Sequence, residues 1–154
     1  MKIFDFLDQK AVSANLKSTD KGTVIDELVN LLVASGKVKN ADGMVKILLE
    51  RESLGSTGIG QGIAIPHGKS SKISQMIGAI GISKNGVDFE ALDGESVYIF
   101  VLLLAPADSA GPHLKALARI SRLLKDKYFR DSLKNATSEE NLLEIIKRED
   151  EVKE

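Results

Sequence analysis

Two histidines, each preceded by a proline, are the residues of this chain best suited to chemistry. His67 follows Pro66 and His113 follows Pro112, and the sequence contains no other histidine. A proline fixes its own φ and favours an extended conformation in the residue before it, so each imidazole stands on a stiff stretch of backbone. An imidazole held in this way can act as a nucleophile or as a metal ligand. The two histidines are therefore the first candidates for a functional site.

A glycine-rich loop leads into the first of these histidines. Residues 51–69 read RESLGSTGIGQGIAIPHGK, so that Arg51 begins the segment and His67 stands near its end. Glycine tolerates the positive φ angles that turn successive N–H groups towards an anion. An arginine, a loop rich in free amides and a rigidly held imidazole together suggest a histidine that handles phosphate.

Each of these residues also has a purely structural interpretation. His67 could bond only to the backbone, and His113 near the start of a helix could make only local contacts. Arg51 near a helix C-terminus could be no more than a favourable partner for the helix dipole. Ser56 and Thr57 are common turn residues. The residue types alone leave both interpretations open.

Other motifs that such a loop could represent do not fit their context. Gly58-x-Gly60-x-Gly62 resembles part of a dinucleotide fingerprint, but it follows a predicted helix and enters a predicted strand, which is the reverse of the required order. The interval from Gly62 to Gly68 is one residue longer than in a P-loop. A G-x-S-x-G serine elbow is absent from the sequence, and no motif adds ligands to the two histidines. We therefore expect neither a cofactor nor a metal.

Length and composition predict a single domain over residues 1–154, with a core of about 5–147 and a charged tail at 148–154. The net charge of −1 argues against a nucleic-acid partner, and the lack of cysteine excludes disulfides and thiolate chemistry. The N-terminus does not resemble a signal peptide, and the longest apolar run, 97–105, is too short to cross a bilayer. We therefore expect a cytoplasmic protein that is not inserted in a membrane.

Two helices are predicted in the first third of the chain, before the glycine loop. Apolar residues recur at helical spacing within 23–35, where Ser18, Thr19 and Asp20 offer caps and Gly36 offers a stop. A second helix begins after Asn40 and ends at Gly55, which puts Arg51 in its last turn.

The middle of the chain predicts strands at 63–66, 76–83, 87–89 and 97–105, with turns at Asn85-Gly86 and Asp93-Gly94. Nine consecutive apolar residues in the last of these indicate burial on both faces. This strand should be central, with helices on either side. The expected fold is α/β, a three-layer α/β/α domain with a central mixed sheet of four to five strands.

The last third is predicted to be helical. Pro112 suits the first position of a helix that extends to Leu124, a shorter helix covers 128–134, and Thr137 with Glu140 forms a capping box for a final helix. The tail at 148–154 is expected to fray. A cluster of basic side chains is interpreted as a solvated face; its members are Arg119, Arg122, Lys125, Lys127 and Arg130.

Several of these segments closely resemble one known family. They are Arg51-Glu52, the run GSTGIGQGIAIPHG at 55–68, and His113-Leu114 at the head of an amphipathic helix. The family comprises the IIA proteins of the phosphoenolpyruvate-dependent phosphotransferase system, type 2, the fructose–mannitol branch that includes the nitrogen-regulatory IIA proteins. Residues 91–94 and 104–106 also look like that family, and the resemblance extends over roughly 5–147.

The resemblance implies a role for each candidate residue. His67 would accept a phosphoryl group, while His113 and Arg51 would stand beside it and stabilise the phosphorylated imidazole. Pro112 departs from the pattern of the family and bears on where its helix begins. The donor would be the phosphohistidine of an HPr-like protein, so that no magnesium site is needed.

The expected mechanism assigns a task to each part of the segment. One ring nitrogen of His67 would be fixed by a hydrogen bond to a backbone carbonyl, which selects the reactive tautomer. The loop would form an oxyanion cradle, made by Ser56, Thr57, Gly58 and Gly60. The phosphoryl group would pass to a IIB component for fructose-type sugar uptake. The alternative is a nitrogen-regulatory IIA protein whose phosphorylation at His67 controls binding to regulatory partners.

Overall fold

Six strands form one mixed sheet in the computed structural model, which describes residues 1–153. The strands are β1 (Leu7–Ser13), β2 (Gly58–Gly60), β3 (Ile63–Ala64), β4 (His67–Ser70), β5 (Ile77–Val87) and β6 (Val97–Pro106). The helices are α1 (Lys21–Ala34), α2 (Ala41–Ser53), α3 (Ala110–Leu124), α4 (Lys127–Lys134) and α5 (Glu139–Val152), and a short 3₁₀ helix, Ile3–Asp5, precedes β1.

The sheet separates two hydrophobic cores, one against α1 and α2 and the other against α3, α4 and α5. The predicted α/β fold with helices on both faces of a mixed sheet is therefore confirmed. The sheet has one strand more than the four to five expected. β1, β2 and β4 were not predicted, and the separate strand predicted at 87–89 is wrong because Val87 is the last residue of β5. The sequence of β1, LDQKAVS, lacks regular alternation of apolar and polar residues.

β6 is the central strand, as its apolar run predicts. It pairs antiparallel with β5 on one side and parallel with β3 and then β4 on the other. The sheet order is β1-β5-β6-β3-β2, with β4 beside β6 beyond the end of β3. Leu103 contributes to the core beneath α3, whereas Leu104 contributes to the core beneath α2. Alternate residues of one strand thus support both helical layers.

The predicted turn at Asn85-Gly86 is wrong. β5 continues through these residues, and the register between Ile82 and Val87 shifts as in a β-bulge. Gly86 has a φ of 86°, and its N–H donates to Ser83 Oγ at 3.0 Å. The glycine therefore accommodates extra residues within one strand and does not reverse the chain.

Helix boundaries differ from prediction mainly in the last third. Asp20 and Asn40 cap α1 and α2 as expected. The capping box of the last helix is wrong, because Ser138 is the N-cap of α5 and accepts a hydrogen bond from Asn141 N at 3.1 Å. Pro112 is the third residue of α3 and not the first. Its missing N–H is tolerated there because the first-turn N–H groups have no intrahelical partner.

Residues 148–152 of the C-terminal tail continue the last helix, contrary to the expected fraying, and Glu154 lies outside the described residues. α5 extends to Val152, and Asp150 is only 4% exposed. The carboxylate of Asp150 accepts hydrogen bonds from Ile3 N and pairs with Arg119 at 2.7 Å. Arg119 is therefore buried and does not belong to a solvated basic face. Across residues 1–153, every helix is too short or too polar to cross a membrane.

Candidate active site

β4 directs two side chains towards α3. His67 pairs with Leu103 of β6, which faces the core beneath α3, so His67 faces the same side. Because side chains alternate across a strand, Lys69 lies on this side as well. Lys69 and His113 both line the cleft that contains His67. The local register of β4 thus brings two basic side chains together.

The intervening residue of β4 allows α2 to approach closely. A Cβ atom on Gly68 would lie 2.7 Å from Ile47 Cγ2 of α2, which is closer than side-chain atoms pack. Glycine therefore permits the close contact between β4 and α2. This contact carries the last turn of α2, with Arg51, to the rim of the same cleft.

Arg51 retains donors for an anion. Its Nη1 donates to the Gly55 carbonyl at 2.9 Å, which orients the guanidinium at the end of α2. A guanidinium carries five N–H donors, so this hydrogen bond leaves capacity for a phosphoryl oxygen. The position of Arg51 in the last helical turn agrees with the prediction from sequence.

The imidazole of His67 has one defined hydrogen bond. Its Nδ1 lies 2.8 Å from the Ile65 carbonyl oxygen. A carbonyl can only accept, so Nδ1 carries the proton and Nε2 carries the lone pair in the neutral ring. A bond of this kind, in which a backbone carbonyl selects the tautomer, is the one expected from the sequence. Nε2 is thereby prepared to act as a nucleophile.

The second histidine packs directly against the first. The ring centroids of His67 and His113 are 5.4 Å apart, and the ring planes meet at 76°. His113 is 5% exposed, and its Nε2 is buried without a hydrogen-bond partner among residues 1–153. Burial, followed by the proximity of His67 and Lys69, lowers the pKa of His113 from 6.5 to about 4. The ring is therefore neutral at pH 7 in this state.

A cleft of about 550 Å³ contains these groups. Arg51, His67, Lys69 and His113 supply its basic side chains, and Glu50 is its one acidic residue. The rim is apolar, since Leu54 and Leu114 are largely exposed there. The cleft thus places the imidazole of His67 together with the cationic side chains of Arg51 and Lys69, inside an apolar rim.

The proposed phosphate cradle has different contacts from those expected. None of Ser56, Thr57, Gly58 and Gly60 lines the cleft. Ser56 Oγ donates to the Phe89 carbonyl at 3.0 Å, and the Thr57 hydroxyl and N–H both donate to the carboxylate of Glu52. These polar groups already have partners within the fold. Their role as phosphate ligands remains a prediction that the contacts do not favour.

The glycines of this segment are required by the backbone. Gly60 has a φ of 99° at the connection between β2 and β3, and a Cβ on Gly58 would lie 2.9 Å from Ala91 Cα. A side chain at either position would strain the hairpin or collide with the neighbouring loop. The glycine-rich composition therefore reflects a tight hairpin of β2 and β3 that ends at Ala64, three residues before His67.

Two features of the cleft were not predicted from the sequence. Lys69 could have been found from the i, i+2 relation to His67, had 67–70 been predicted as a strand. The N-terminus of α3 was placed two residues too late. Ala110 lines the cleft, and the N–H groups of Ala110 and Gly111 have no hydrogen-bond acceptor among the described residues. Ser109, the N-cap, bonds instead to the Pro106 carbonyl.

A metal site finds no support in this geometry. Within residues 1–153, no three His, Cys, Asp or Glu side chains are grouped so that they could hold a metal ion.

The chain is similar in sequence to two kinds of protein, EIIA components of sugar phosphotransferase systems and nitrogen regulatory proteins. The profile of the family described as phosphoenolpyruvate-dependent sugar phosphotransferase system, EIIA 2, matches residues 5–149. The chain is 39% identical over 150 residues to the fructose-specific EIIABC component of Bacillus subtilis, covering 97% of this chain but only 24% of that protein. It is 36% identical over 146 residues to a nitrogen regulatory protein of Bradyrhizobium diazoefficiens, covering 95% of each.

Solved structures show the same fold. The nitrogen regulatory protein IIA-Ntr of Neisseria meningitidis superposes with a TM-score of 0.85 at 31% identity, over 94% of this chain and 98% of that one. The mannitol enzyme IIA of Escherichia coli, solved in complex with phosphorylated enzyme IIB, superposes with a TM-score of 0.77 at 20% identity, over 93% and 99% of the two chains. At that lower identity the likeness shows the fold alone.

Proposed function

The chain belongs to the EIIA 2 family of the phosphoenolpyruvate-dependent sugar phosphotransferase system, and on that basis we propose that His67 carries a phosphoryl group received from the phosphohistidine of an HPr-like donor. The hydrogen bond from His67 Nδ1 to the Ile65 carbonyl carries this proposal. It leaves Nε2 as the nitrogen with a free lone pair, on a ring that lines an open cleft. Nε2 is therefore the atom to be phosphorylated.

The transfer exchanges one nitrogen–phosphorus bond for another. The lone pair of His67 Nε2 forms a bond to phosphorus while the bond to the donor nitrogen breaks, and the donor ring keeps that electron pair. Because the transition state is loose and in line, the protein acts by positioning and by stabilising charge.

The basic groups of the cleft would stabilise the transferred phosphoryl group. Arg51 and Lys69 bring a guanidinium and an ammonium group. The amides of Ala110 and Gly111 stand at the positive end of the α3 dipole. These groups replace the glycine loop as the preferred oxyanion donors in our proposal. A unit-charge pair at about 4 Å contributes roughly 4 kcal/mol at an effective dielectric near 20, so one such contact changes the rate substantially.

Intact-protein mass measurement tests the acceptor. The protein is incubated with phosphoenolpyruvate, Enzyme I and HPr, beside the variants His67→Ala and His113→Ala. We expect one acid-labile phosphoryl group on the native chain, none on His67→Ala, and a smaller amount on His113→Ala. Phosphorylation that persists in His67→Ala would reject the assignment. Absence of phosphorylation on the native chain, with the donor shown to be phosphorylated, would reject the function for that donor.

Two destinations for the phosphoryl group remain distinct proposals. The leading one is transfer to a IIB component that serves fructose-type sugar uptake, as the name of the Bacillus subtilis relative suggests. The second is regulation, in which the phosphorylation state of His67 changes affinity for a regulatory protein. A specific observation favours the second, because the nitrogen regulatory relative matches this chain over 95% of its own length.

The fate of the phosphoprotein separates the two. Purified phosphoprotein is mixed with a fructose-type IIB domain, and the loss of label from His67 is followed with time. Rapid transfer to the IIB domain supports the transport role. A phosphoprotein that stays labelled beside an active IIB domain supports the regulatory role and contradicts the transport role.

A further inference from the structure

A buried carboxylate lies at the end of α2, next to Arg51 in sequence but on another face of the helix. Glu52 is 6% exposed, whereas Arg51 lines the cleft. Consecutive helical residues point in different directions, so in the last turn of α2 the side chain of Arg51 faces the cleft and that of Glu52 is buried. The transfer chemistry described above does not use Glu52.

The carboxylate of Glu52 joins α1 to the start of the β2–β3 hairpin. Lys21 Nζ lies 3.0 Å from Glu52 Oε1, and Thr57 N donates to the same oxygen at 3.0 Å. The Thr57 hydroxyl donates to the other oxygen, Oε2. Hydrogen bonds to an ionised acceptor are about twice as strong as neutral ones. Thr57, which is 4% exposed, is thus held through both its backbone and its side chain.

Two hydrogen bonds through Ile65 connect Thr57 to the imidazole of His67. The Thr57 carbonyl accepts a hydrogen bond from Ile65 N at 3.0 Å. The carbonyl of that same residue, Ile65, accepts the hydrogen bond from His67 Nδ1 at 2.8 Å. Pro66 lies between the two and restricts Ile65 to extended conformations. The position of the Ile65 carbonyl, and with it the tautomer of His67, therefore depends on how firmly Thr57 is held.

We propose that Glu52 and Thr57 are positioning residues for phosphoryl transfer, which fix the Ile65 carbonyl and so keep His67 in its Nδ1–H tautomer. This inference rests on the proposed role of His67 as the acceptor. It assigns a task to the Ser-Thr pair of the glycine loop that differs from direct binding of phosphate. The side chains act on the ring of His67 through the backbone of the hairpin.

A matched pair of variants tests the proposal. Thr57→Val removes the hydroxyl and keeps the shape and the backbone N–H, while Thr57→Ser keeps the hydroxyl. Two properties are measured: the ¹⁵N chemical shifts of the His67 ring in the unphosphorylated protein, and the rate of transfer from phosphorylated HPr over a range of donor concentrations. A misplacement of about 1 Å can reduce a rate about a hundredfold.

We expect Thr57→Val to raise the share of the Nε2–H tautomer and to lower the maximal rate about tenfold with KM for the donor unchanged. Thr57→Ser should stay within about twofold of the native protein in both properties. A folded Thr57→Val with the native tautomer and the native rate would overturn the proposal and leave Thr57 with a role in stability alone.

If Thr57→Val does not fold, the same two properties are measured for Glu52→Gln. The amide preserves the acceptor for Thr57 N and removes the charge, so a loss of about threefold in maximal rate and a partial change of tautomer are expected. Native values for both would overturn the proposal. The tautomer is measured without phosphorylation, so it still tests positioning if the native chain accepts no phosphoryl group. A native chain that accepts no phosphoryl group would count only against the acceptor role of His67 and not against the positioning role of Thr57.

Discussion

The imidazole rings of His67 and His113 meet edge to face, 5.4 Å apart between centroids. His67 has a carbonyl partner for Nδ1, whereas Nε2 of His113 is buried and has no partner in the part of the chain that the structure describes. A buried polar atom without a partner is uncommon and calls for a reason. A phosphoryl group on His67 Nε2 would bring acceptor oxygens to this part of the cleft. The unpartnered nitrogen is thus consistent with a site completed by phosphorylation.

We predict that the charge of His113 depends on phosphorylation of His67. Raising its pKa from about 4 to above 7 requires about 4 kcal/mol. A single negative charge at about 4 Å supplies roughly that amount at an effective dielectric near 20, and a phosphoryl group carries nearly twice that charge. NMR titration of His113 in the phosphorylated protein should show a charged ring at pH 7. A neutral ring at pH 7 would contradict this account, and unphosphorylated His67→Gln serves as the control.

The low pKa of His113 also predicts how stability depends on pH. The ring has a pKa near 6.5 in the unfolded chain and about 4 in the folded one, so between these values the unfolded chain binds more protons. The free energy of unfolding should therefore fall as the pH is lowered from 6.5 to 4. His113 should contribute about 3 kcal/mol to this fall. Above pH 6.5 the contribution is fully present.

Urea unfolding of the native protein and His113→Gln across this pH range provides the measurement. Asp20, Asp93 and Asp126 also have lowered pKa values, because each accepts backbone hydrogen bonds. Their contributions occur in both proteins and cancel in the difference. Equal slopes for the two proteins would show that His113 is not the group that titrates.

Arg51→Ala should slow phosphoryl transfer to His67 more than tenfold and leave the fold intact. The guanidinium lies on the rim of the cleft and bonds to the Gly55 carbonyl, so its loss removes charge stabilisation without opening the core. Transfer rates from phosphorylated HPr provide the measurement. Lys46→Ala is the matched control, because it removes the same charge from an exposed site on α2 outside this cleft. Equal rates for the two variants would exclude the role of Arg51.

The sequence predicted those parts of the site that local patterns determine. The apolar run of β6, the caps of α1 and α2, and the position of Arg51 follow from composition and spacing. The preceding prolines singled out His67 and His113, and the resemblance to a family assigned a role to each. The contacts of Thr57 could not be predicted from the sequence. Its hydrogen bonds to Glu52 depend on how α2 packs against the hairpin. Long-range packing of this kind leaves no periodic signal in the sequence.

The C-terminal end of the chain illustrates the same limit. A run of charged residues suggested a frayed tail, yet Asp150 lies opposite Arg119 in the fold. A charge run looks the same in sequence whether it is solvated or paired across the protein. The pairing becomes visible only when α3, α5 and the N-terminus are brought together.

Asp150→Asn should therefore destabilise the protein by about 3 kcal/mol while phosphoryl transfer per folded molecule stays unchanged. The substitution keeps the shape of the side chain but removes the negative charge that faces buried Arg119, and breaking such a pair is costly. It also weakens the acceptor of Ile3 N, which ties the N-terminus to α5. Urea unfolding provides the measurement, with exposed Glu151→Gln as the control for loss of charge on the same helix. A variant as stable as Glu151→Gln would mean that the pair contributes nothing to stability, and slower transfer in the folded variant would mean that the C-terminal contact influences the cleft.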